Sequence, residues 1–300
     1  MSISIPRGKY SLTLRSPVLP AAGTFGYGER YHLFINYQKL GAIVTNPVSY
    51  QERKPAEGTR VVEVPAGVLM HTGLPNAGVR TVIAQYRDFW QTMKMPVILH
   101  LIATNFDDVG AACELIDYED SIQAIELGLP DDLTDEEAFR MVQHTHQHSQ
   151  KPILVCLPLT DAYAIADAVA DAGATALVIA SAPRGTVRDP YSGKLVDGRI
   201  YSPLTKLISL RMVRELRQRL SGIPIIGAGG IHSFHDARDF IEAGALAVEV
   251  DSVTWIQPQI LETIARDLGG WQVTRMSGAY DDEWNPNMGD TEFFQDFSGE

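Results

Sequence analysis

Three consecutive segments of the chain, Ile153-Leu-Val-Cys-Leu157, Asp161–Ala172 and Ala176-Leu-Val-Ile179, follow the pattern of a strand, a helix and a second strand. Both outer segments are short and continuously apolar, as strands are when a parallel sheet is covered on both faces. The middle segment spaces its apolar residues at helical intervals. Two parallel strands joined by a helix need this arrangement, so the stretch predicts one βαβ unit.

The same alternation extends in both directions, from Val18 to Leu268. Eight apolar runs are candidate strands: Val18–Ala21, Ala42–Thr45, Val97–Leu101, Ala124–Leu127, Ile153–Leu157, Ala176–Ile179, Ile225–Gly227 and Ala247–Val250. The clearest helical patterns among them are Gly78–Thr92, Phe106–Ile116, Thr134–Ser149, Asp161–Ala172, Thr205–Leu220, Ser233–Ala243 and Pro258–Asp267. No linker divides the series, so it predicts an α/β fold with a single (βα)8 barrel.

The predicted helix starts carry capping residues. Thr134 with Glu137 has the spacing of a capping box, and Ser233 with Asp236 is a weaker version. Simple caps are expected at two further helix starts, Asp161 and Thr205.

Several segments lie outside the regular alternation. Ser2–Ile5 and Ser11–Leu14 flank Gly8-Lys9 and predict a small N-terminal hairpin that plugs the bottom of the barrel. Pro47–Pro75 and Ser181–Leu204 are long and show no strong period, so we expect them to be functional loops. Active sites of such barrels lie at the carboxyl ends of the strands, where these connections start.

The last part of the chain has a different composition. From Met276 to Glu300 it contains seven acidic residues, no Lys or Arg, and five aromatic residues. We therefore divide the chain into a barrel at residues 1–275 and an acidic-aromatic tail at residues 276–300. The tail either folds back onto the barrel or docks on another subunit.

Composition excludes several classes of protein. The 300 residues include 25 basic and 37 acidic ones, a net charge of −12, which argues against a nucleic-acid partner. Two cysteines, Cys113 and Cys156, cannot form a disulfide framework and are typical of a reducing compartment. No signal peptide and no apolar run of about 18 residues is present, so we expect a cytoplasmic protein without a membrane partner.

The seventh predicted strand runs into a glycine turn, Ile225-Ile-Gly-Ala-Gly-Gly-Ile-His232, followed by the cap Ser233. Glycines allow an anion to approach the backbone, and loops at this place in such barrels often bind phosphate. Asp251, after the eighth strand, would repel a phosphate unless its side chain turns away. The turn is therefore either a phosphate cradle or a tight turn without a ligand.

Five side chains are candidate catalytic residues: Glu126, His71, His100, Arg184 and Arg199. Glu126 ends a strand, and burial would require a partner such as Arg184 or Arg199. The same two arginines have the chemistry to clamp a carboxylate or phosphate, although they also fit a solvated polar loop. Small residues at Ala21–Gly23 leave room for a flat ring, or serve backbone geometry alone.

No metal site is expected. His144 and His148 share a helix face, but Thr-His-Gln lies between them and no acid completes a metal-binding motif. A solvated helix face is the better interpretation.

Many of these segments, in order and spacing, resemble the dihydroorotate dehydrogenase family, class 1 type. The resemblance covers about Ser16 to Gly269 and rests on Ser16-Pro-Val-Leu-Pro-Ala-Ala-Gly-Thr-Phe-Gly-Tyr-Gly28, Leu40–Thr45, Pro65–Leu69, Gly73–Gly78, Ala124–Leu127, Ser209–Val213, Ile223–Ile231 and Ala243–Val248. It implies an FMN-binding barrel that oxidises dihydroorotate to orotate in pyrimidine synthesis. It further implies a homodimer, or a complex with an electron-transfer subunit. The implied cofactor-binding residues are Ala22, Gly23, Asn46, Gly229, Gly230 and Ser252.

The chain departs from the family pattern at positions that carry chemistry. Where the family has Glu-Leu-Asn-Ile-Ser-Cys-Pro-Asn, this chain has Glu126-Leu-Gly-Leu-Pro-Asp131, so the catalytic Cys is missing. Two family lysines are replaced, by Asn46 and by Cys156, which is expected to be a small buried residue rather than a nucleophile. Family asparagines that hold orotate align with Met70, Gly128, Asp131 and Ala180, and the phosphate-binding Gly-Thr becomes Asp251-Ser252.

A missing general base alone is worth about 10²–10⁴-fold in rate. Standard activity is therefore expected to be lost. Three hypotheses remain open: a flavin oxidoreductase on its usual or an altered substrate, a non-catalytic barrel that binds a partner subunit or a small ligand, and a lyase- or aldolase-like barrel using Glu126, His71 or His100.

Overall fold

The computed structural model describes residues 2–276. The tail predicted at residues 276–300 lies outside the described residues except for Met276. The strands are β1 (Ile3–Arg7), β2 (Tyr10–Leu14), β3 (Val18–Pro20), β4 (Ile43–Val44), β5 (Val61–Val64), β6 (Gly67–Met70), β7 (Val97–Ile102), β8 (Ala124–Gly128), β9 (Ile153–Pro158), β10 (Ala176–Ser181), β11 (Arg184–Arg188), β12 (Leu195–Tyr201), β13 (Ile225–Ala228) and β14 (Ala247–Val250). The helices are α1 (Val79–Thr92), α2 (Phe106–Asp117), α3 (Asp135–His148), α4 (Ala162–Asp171), α5 (Thr205–Arg219), α6 (Phe234–Glu242), α7 (Val253–Ile256) and α8 (Ile260–Met276), with a 3₁₀ turn at Tyr37–Lys39.

Eight parallel strands form the barrel, in the order β3, β14, β13, β10, β9, β8, β7 and β4. The seam between β3 and β4 is bridged by a hydrogen bond of 2.9 Å from the Gly41 amide to the Val18 carbonyl. A side chain at position 41 would collide with the Ser16 carbonyl, so this close approach requires glycine. The prediction of one (βα)8 barrel is confirmed.

The N-terminal hairpin closes the bottom of the barrel. β1 and β2 pair antiparallel, and Ile5, Leu12 and Leu14 are fully buried. They belong to one apolar cluster with barrel-interior residues such as Ile98 and Leu154. Their burial removes the amino-terminal end of the barrel from solvent, as the sequence predicted.

The two long connections fold into a sheet of their own, which the sequence analysis missed. β5, β6, β11 and β12 form a four-stranded antiparallel sheet in the order β11, β12, β6, β5, here termed the cap sheet. In β11, exposed and half-buried residues alternate and none is fully buried. Because β11 has no continuous apolar run, its sequence pattern is that of a polar loop.

Two of the four predicted capping residues make a side-chain hydrogen bond to the start of their helix. Thr134 and Glu137 form the complete capping box, and Ser233 accepts a hydrogen bond from the Asp236 amide. Asp161 stands at the N-cap position of α4, as predicted, but its side chain makes no capping hydrogen bond, and the prediction for Thr205 is wrong. Asp161 accepts from the Asp132 amide at 3.0 Å, and Thr205 is the first residue inside its helix. Within residues 2–276, no helix is both long and apolar enough to cross a membrane.

Candidate active site

A cavity of about 870 Å³ lies between the mouth of the barrel and the cap sheet, and is here termed the mouth cavity. Residues that follow the first two barrel strands form one wall, and the cap sheet and its connections form the other. The lining residues are Ala22, Gly23, Asn46, Pro47, Arg53, Met70, His71, Thr72, Gly73, Leu74, Pro75, Arg184, Gly185, Thr186, Asp197, Gly198, Arg199, Tyr201 and Trp255. The structure thus brings together six of the predicted site residues: Ala22, Gly23, Asn46, His71, Arg184 and Arg199.

An aromatic pair stands at one side of the mouth cavity. The rings of Tyr201 and Trp255 meet edge to face with centroids 4.9 Å apart. Burial, together with the charge of Asp251, raises the pKa of Tyr201 to about 12, so its hydroxyl keeps its proton. On the opposite wall, Ala22 and Gly23 present little side-chain bulk. A flat organic molecule fits this combination of ring faces, small residues and one hydroxyl donor.

Both candidate arginines of the cavity are paired with carboxylates of the chain itself. Arg199 donates to Ala182 O and to both oxygens of Asp131, with Nη1 2.8 Å from Oδ1. Arg184 reaches Asp131 and Asp132, each at 3.1 Å. Asp131 is only 4% exposed, so these arginines hold a buried carboxylate. The predicted arginine clamp exists, but its anion is a residue of the protein.

Glu126 is not the partner of either arginine, and that expectation is wrong. It lies inside the barrel, fully buried, with Oε1 2.6 Å from Nδ1 of His100 on the neighbouring strand β7. The register of β7 and β8 places His100 directly beside Glu126, both facing inward. The arginines follow β10, on connections that form the cap sheet.

Glu249 joins this interior cluster. It is 2% exposed and lies on β14, and Glu249 Oε1 and Glu126 Oε2 are both buried with no other hydrogen-bond partner in the described structure. Burial, reinforced by the charge of Glu126, raises the pKa of Glu249 well above its ordinary value. Because two ionised carboxylates have no hydrogen to share, the proton on Glu249 makes their hydrogen bond possible.

The orientation of His100 follows from a glycine. A Cβ on Gly128 would lie 2.5 Å from Nε2 of His100, so only glycine leaves room for the ring. Gly128 is two residues nearer the carboxyl end of β8 than Glu126. The imidazole therefore points Nδ1 at the buried acids and Nε2 toward the barrel mouth, and 11% of its side chain is exposed. Glu126 holds Nδ1, and His100 is not among the residues that line the mouth cavity.

Cys156 faces the same acids. Burial raises the pKa of its thiol well above the ordinary value, and the charges of Glu126 and Glu249 add to the effect. A thiol that keeps its proton is a poor nucleophile, which supports its interpretation as a small buried residue.

The glycine turn after β13 is occupied by the chain itself. Gly229 and Gly230 have φ of +98° and +69°, in the left-handed region that favours glycine. The buried carboxylate of Asp251 accepts a hydrogen bond from the Ser252 amide at 2.6 Å, and the Gly230 amide lies near enough to lower its pKa. Burial raises the pKa of Asp251, while these donors oppose the rise. Backbone donors that a flavin phosphate would need already hold an anion, so the residues present do not fit FMN in that position. Gly229, Gly230 and Ser252 are not among the lining residues of the mouth cavity.

Sequence reasoning overlooked Glu249 and Trp255. A signal for Glu249 was available, because a charged residue interrupts the apolar run Val248-Glu-Val250 at a position that faces the barrel interior. Trp255 lies in the short helix α7, and nothing in the local sequence indicates that it meets Tyr201.

His144 and His148 pack together between two helices. Their ring centroids are 4.4 Å apart, and the side chains lie against Gly110 of α2. Both are half-buried, so the prediction of a solvated face is wrong.

Comparison with known proteins identifies the class. The family model described as Dihydroorotate dehydrogenase matches residues 9–270, and the chain belongs to this family. Its relatives include proteins named "Dihydroorotate dehydrogenase B (NAD(+)), catalytic subunit". The relative from Geotalea daltonii is 32% identical over 271 residues, which are 85% of this chain and 88% of the relative. The relative from Pelobacter propionicus is 32% identical over 276 residues, which are 87% of this chain and 90% of the relative. The relative from Geobacter sulfurreducens is 31% identical over 274 residues, which are 86% of this chain and 89% of the relative.

Proposed function

We propose that this chain is a ligand-binding barrel of the dihydroorotate dehydrogenase family that holds a small flat molecule in the mouth cavity and has lost the family's oxidation of dihydroorotate. The observation that carries the proposal is the buried carboxylate of Asp131, which Arg199 and Arg184 hold at the cavity wall. A carboxylate substrate such as dihydroorotate would find these two arginines already neutralised, which leaves Arg53 as the other arginine that lines the cavity.

Other positions support the loss of the family reaction. The family Cys that serves as base has no counterpart, and the remaining thiol, Cys156, is buried with its pKa raised. Met70 and Gly128 replace amides that the resemblance assigns to substrate binding. A site built on hydrogen bonds to a polar substrate discriminates strongly when those partners are removed.

The walls of the mouth cavity indicate the kind of ligand. Tyr201 and Trp255 offer ring edges and faces, and Asn46 has a buried side-chain oxygen without a hydrogen-bond partner in the described structure. That oxygen is an acceptor for a ligand N–H or O–H. We therefore expect a planar, uncharged molecule with at least one donor group.

A second candidate is a flavin-dependent oxidoreductase with FMN as its cofactor. Its support is family membership, together with Ala22, Gly23 and Asn46 lining one cavity. In this alternative the chain is a catalytic subunit, as the printed names of its relatives describe them. The occupied glycine turn argues against it.

Dihydroorotate turnover with a dye acceptor separates the two candidates. The Geobacter sulfurreducens relative, prepared in the same way, provides the reference rate. We expect this chain to turn over at less than about one hundredth of that rate, from the missing base alone. The absorbance spectrum of the isolated protein is expected to lack flavin bands. A yellow protein that dihydroorotate bleaches without oxygen would establish the second candidate and refute the first.

Assembly and location belong to the proposal as well. Leu204, Leu207 and Ile208 expose 61%, 67% and 56% of their surface at the start of α5, which supports a homodimer or a complex with another subunit. Both cysteines are free and buried, which supports a cytoplasmic location. Sedimentation velocity measures the assembly directly, and a monomer at micromolar concentration would contradict the homodimer.

A further inference from the structure

The carboxylate of Asp251 sits where the backbone of the glycine turn binds anions. It accepts hydrogen bonds from the Ser252 amide at 2.6 Å and from the Ser252 hydroxyl at 3.2 Å, and the Gly230 amide lies near enough to stabilise its charged form. Asp251 is 8% exposed, so these protein donors replace most of its contact with water. The arrangement is the one by which a turn of this kind would hold a phosphate.

The turn leaves no second place for an anion. A Cβ on Gly230 would lie 2.5 Å from the amide nitrogen of Lys206, so the turn is packed directly against the start of α5. The side chain of Lys206 is committed to Asp236 and Asp239, each at 2.6 Å. The hydroxyls of Thr205 and Ser209 also lie against the two glycines, and Nε2 of His232 is 3.4 Å from the Ser252 hydroxyl.

The occupied turn borders the mouth cavity. Tyr201 lines that cavity and is close enough to Asp251 for the carboxylate charge to act on its hydroxyl. Trp255, three residues beyond Ser252, lines it too. A ligand whose ring lay beside Tyr201 and Trp255 would meet this occupied turn if it extended a charged arm past them.

We propose that Asp251 is a built-in anion of the glycine turn, and that it makes the mouth cavity select molecules without a phosphate group. The selectivity rests on the proposed ligand-binding function, whereas the occupation of the turn by Asp251 does not. Like charges brought together at a binding site cost several kcal/mol, which corresponds to at least about 100-fold in affinity.

The first test concerns the turn alone and uses inorganic phosphate as the probe. Equilibrium dialysis with labelled phosphate is carried out on the full chain and on D251G, which restores a glycine and removes the carboxylate. We expect D251G to bind at least about 100-fold more tightly than the unaltered chain. D251N, which keeps the shape of the side chain, is expected to gain about 10-fold, since the charge is gone but the amide still occupies the turn. If circular dichroism shows that D251G does not fold, D251N becomes the variant that tests the proposal.

The matched control is D88N, because Asp88 is exposed on α1 and its change alters net charge by the same amount. It should leave phosphate binding within about 2-fold. Phosphate binding by the unaltered chain that equals that of D251G and D251N would overturn the proposal.

The second test concerns selectivity and compares riboflavin with FMN, which share a ring system and differ by the phosphate. In the unaltered chain, riboflavin is expected to bind at least about 100-fold more tightly than FMN, and D251G should abolish this difference. Equal affinities in the unaltered chain would refute the selectivity. If neither molecule binds any variant while D251G still gains phosphate, the proposed flat ligand is refuted and the built-in anion stands.

Discussion

Replacing Glu249 by Gln should make the protein more stable, and the gain should grow with pH. Glu249 is 2% exposed and hydrogen-bonded to Glu126, and burial raises its pKa well above the ordinary 4.5. Above pH 4.5 the unfolded chain releases this proton while the folded chain keeps it, so rising pH favours unfolding. The glutamine side chain in E249Q has no acidic proton to release, and its amide can still donate to Glu126.

The magnitude follows from proton linkage. Each pH unit between the unfolded and folded pKa of Glu249 costs the unaltered protein about 1.4 kcal/mol of unfolding free energy. Between pH 5 and pH 6, where the unfolded side chain is mostly ionised, the advantage of E249Q should grow by about 1.2 kcal/mol. The stabilisation that the raised pKa of Glu249 gives the folded protein is fully present below pH 4.5. It decreases as the pH rises toward the pKa of Glu249 in the folded protein.

Urea unfolding at half-unit steps from pH 4.5 to 8 measures this difference. E57Q is the matched control, because Glu57 is exposed and its replacement should produce no slope. A stability difference between E249Q and the unaltered chain that stays constant over this range would show that Glu249 is ionised in the folded barrel, and the argument for a shared proton would fail.

Three further predictions concern the same region. G128A should destabilise the protein by about 1–3 kcal/mol in urea unfolding, since its Cβ would displace the His100 ring, and H100A should relieve most of that cost; additive effects would contradict the contact. R199A should cost about 2 kcal/mol in thermal unfolding because it removes the bidentate partner of buried Asp131, whereas R199K should cost less; an unchanged midpoint would contradict the ion pair. Both cysteines should resist Ellman's reagent until urea is added, as burial raises the pKa of Cys113 to about 12 and that of Cys156 well above its ordinary value; rapid labelling of the folded protein would refute their burial.

The barrel was predictable because its signal is local and repeated. Each buried strand must be apolar on both faces, so a run such as Ile153–Leu157 is visible without knowledge of its neighbours. The cap sheet had no such signal. Its strands β11 and β12 are short, with polar residues and glycines between single apolar residues, and the pairing of β12 with β6 joins segments more than a hundred residues apart.

The sequence identified several residues of the candidate site, but it did not show which of them contact one another. His100 and Glu126 were both candidates, yet their bond depends on the register of two parallel strands, which single-chain patterns do not fix. The arginine partners were wrongly assigned for a related reason. Arg199 could satisfy any nearby carboxylate, and only the folded cap sheet shows that Asp131 is nearest.

Two departures from the family pattern, Cys156 and Gly128, lie beside the buried cluster of His100, Glu126 and Glu249. Cys156 lies close enough to Glu126 and Glu249 for both charges to act on its thiol, so the lysine that the family resemblance implies there would have been a cation beside these acids. Without that cation, a buried ionised Glu126 would need another donor. His100 supplies it at 2.6 Å, Gly128 leaves the space for its ring, and the proton on Glu249 removes the second negative charge. The two departures from the family pattern, Cys156 and Gly128, thus both lie beside the pair of His100 and Glu126, and that pair, with Nε2 of His100 on the side of the barrel mouth, is where a retained function is to be sought.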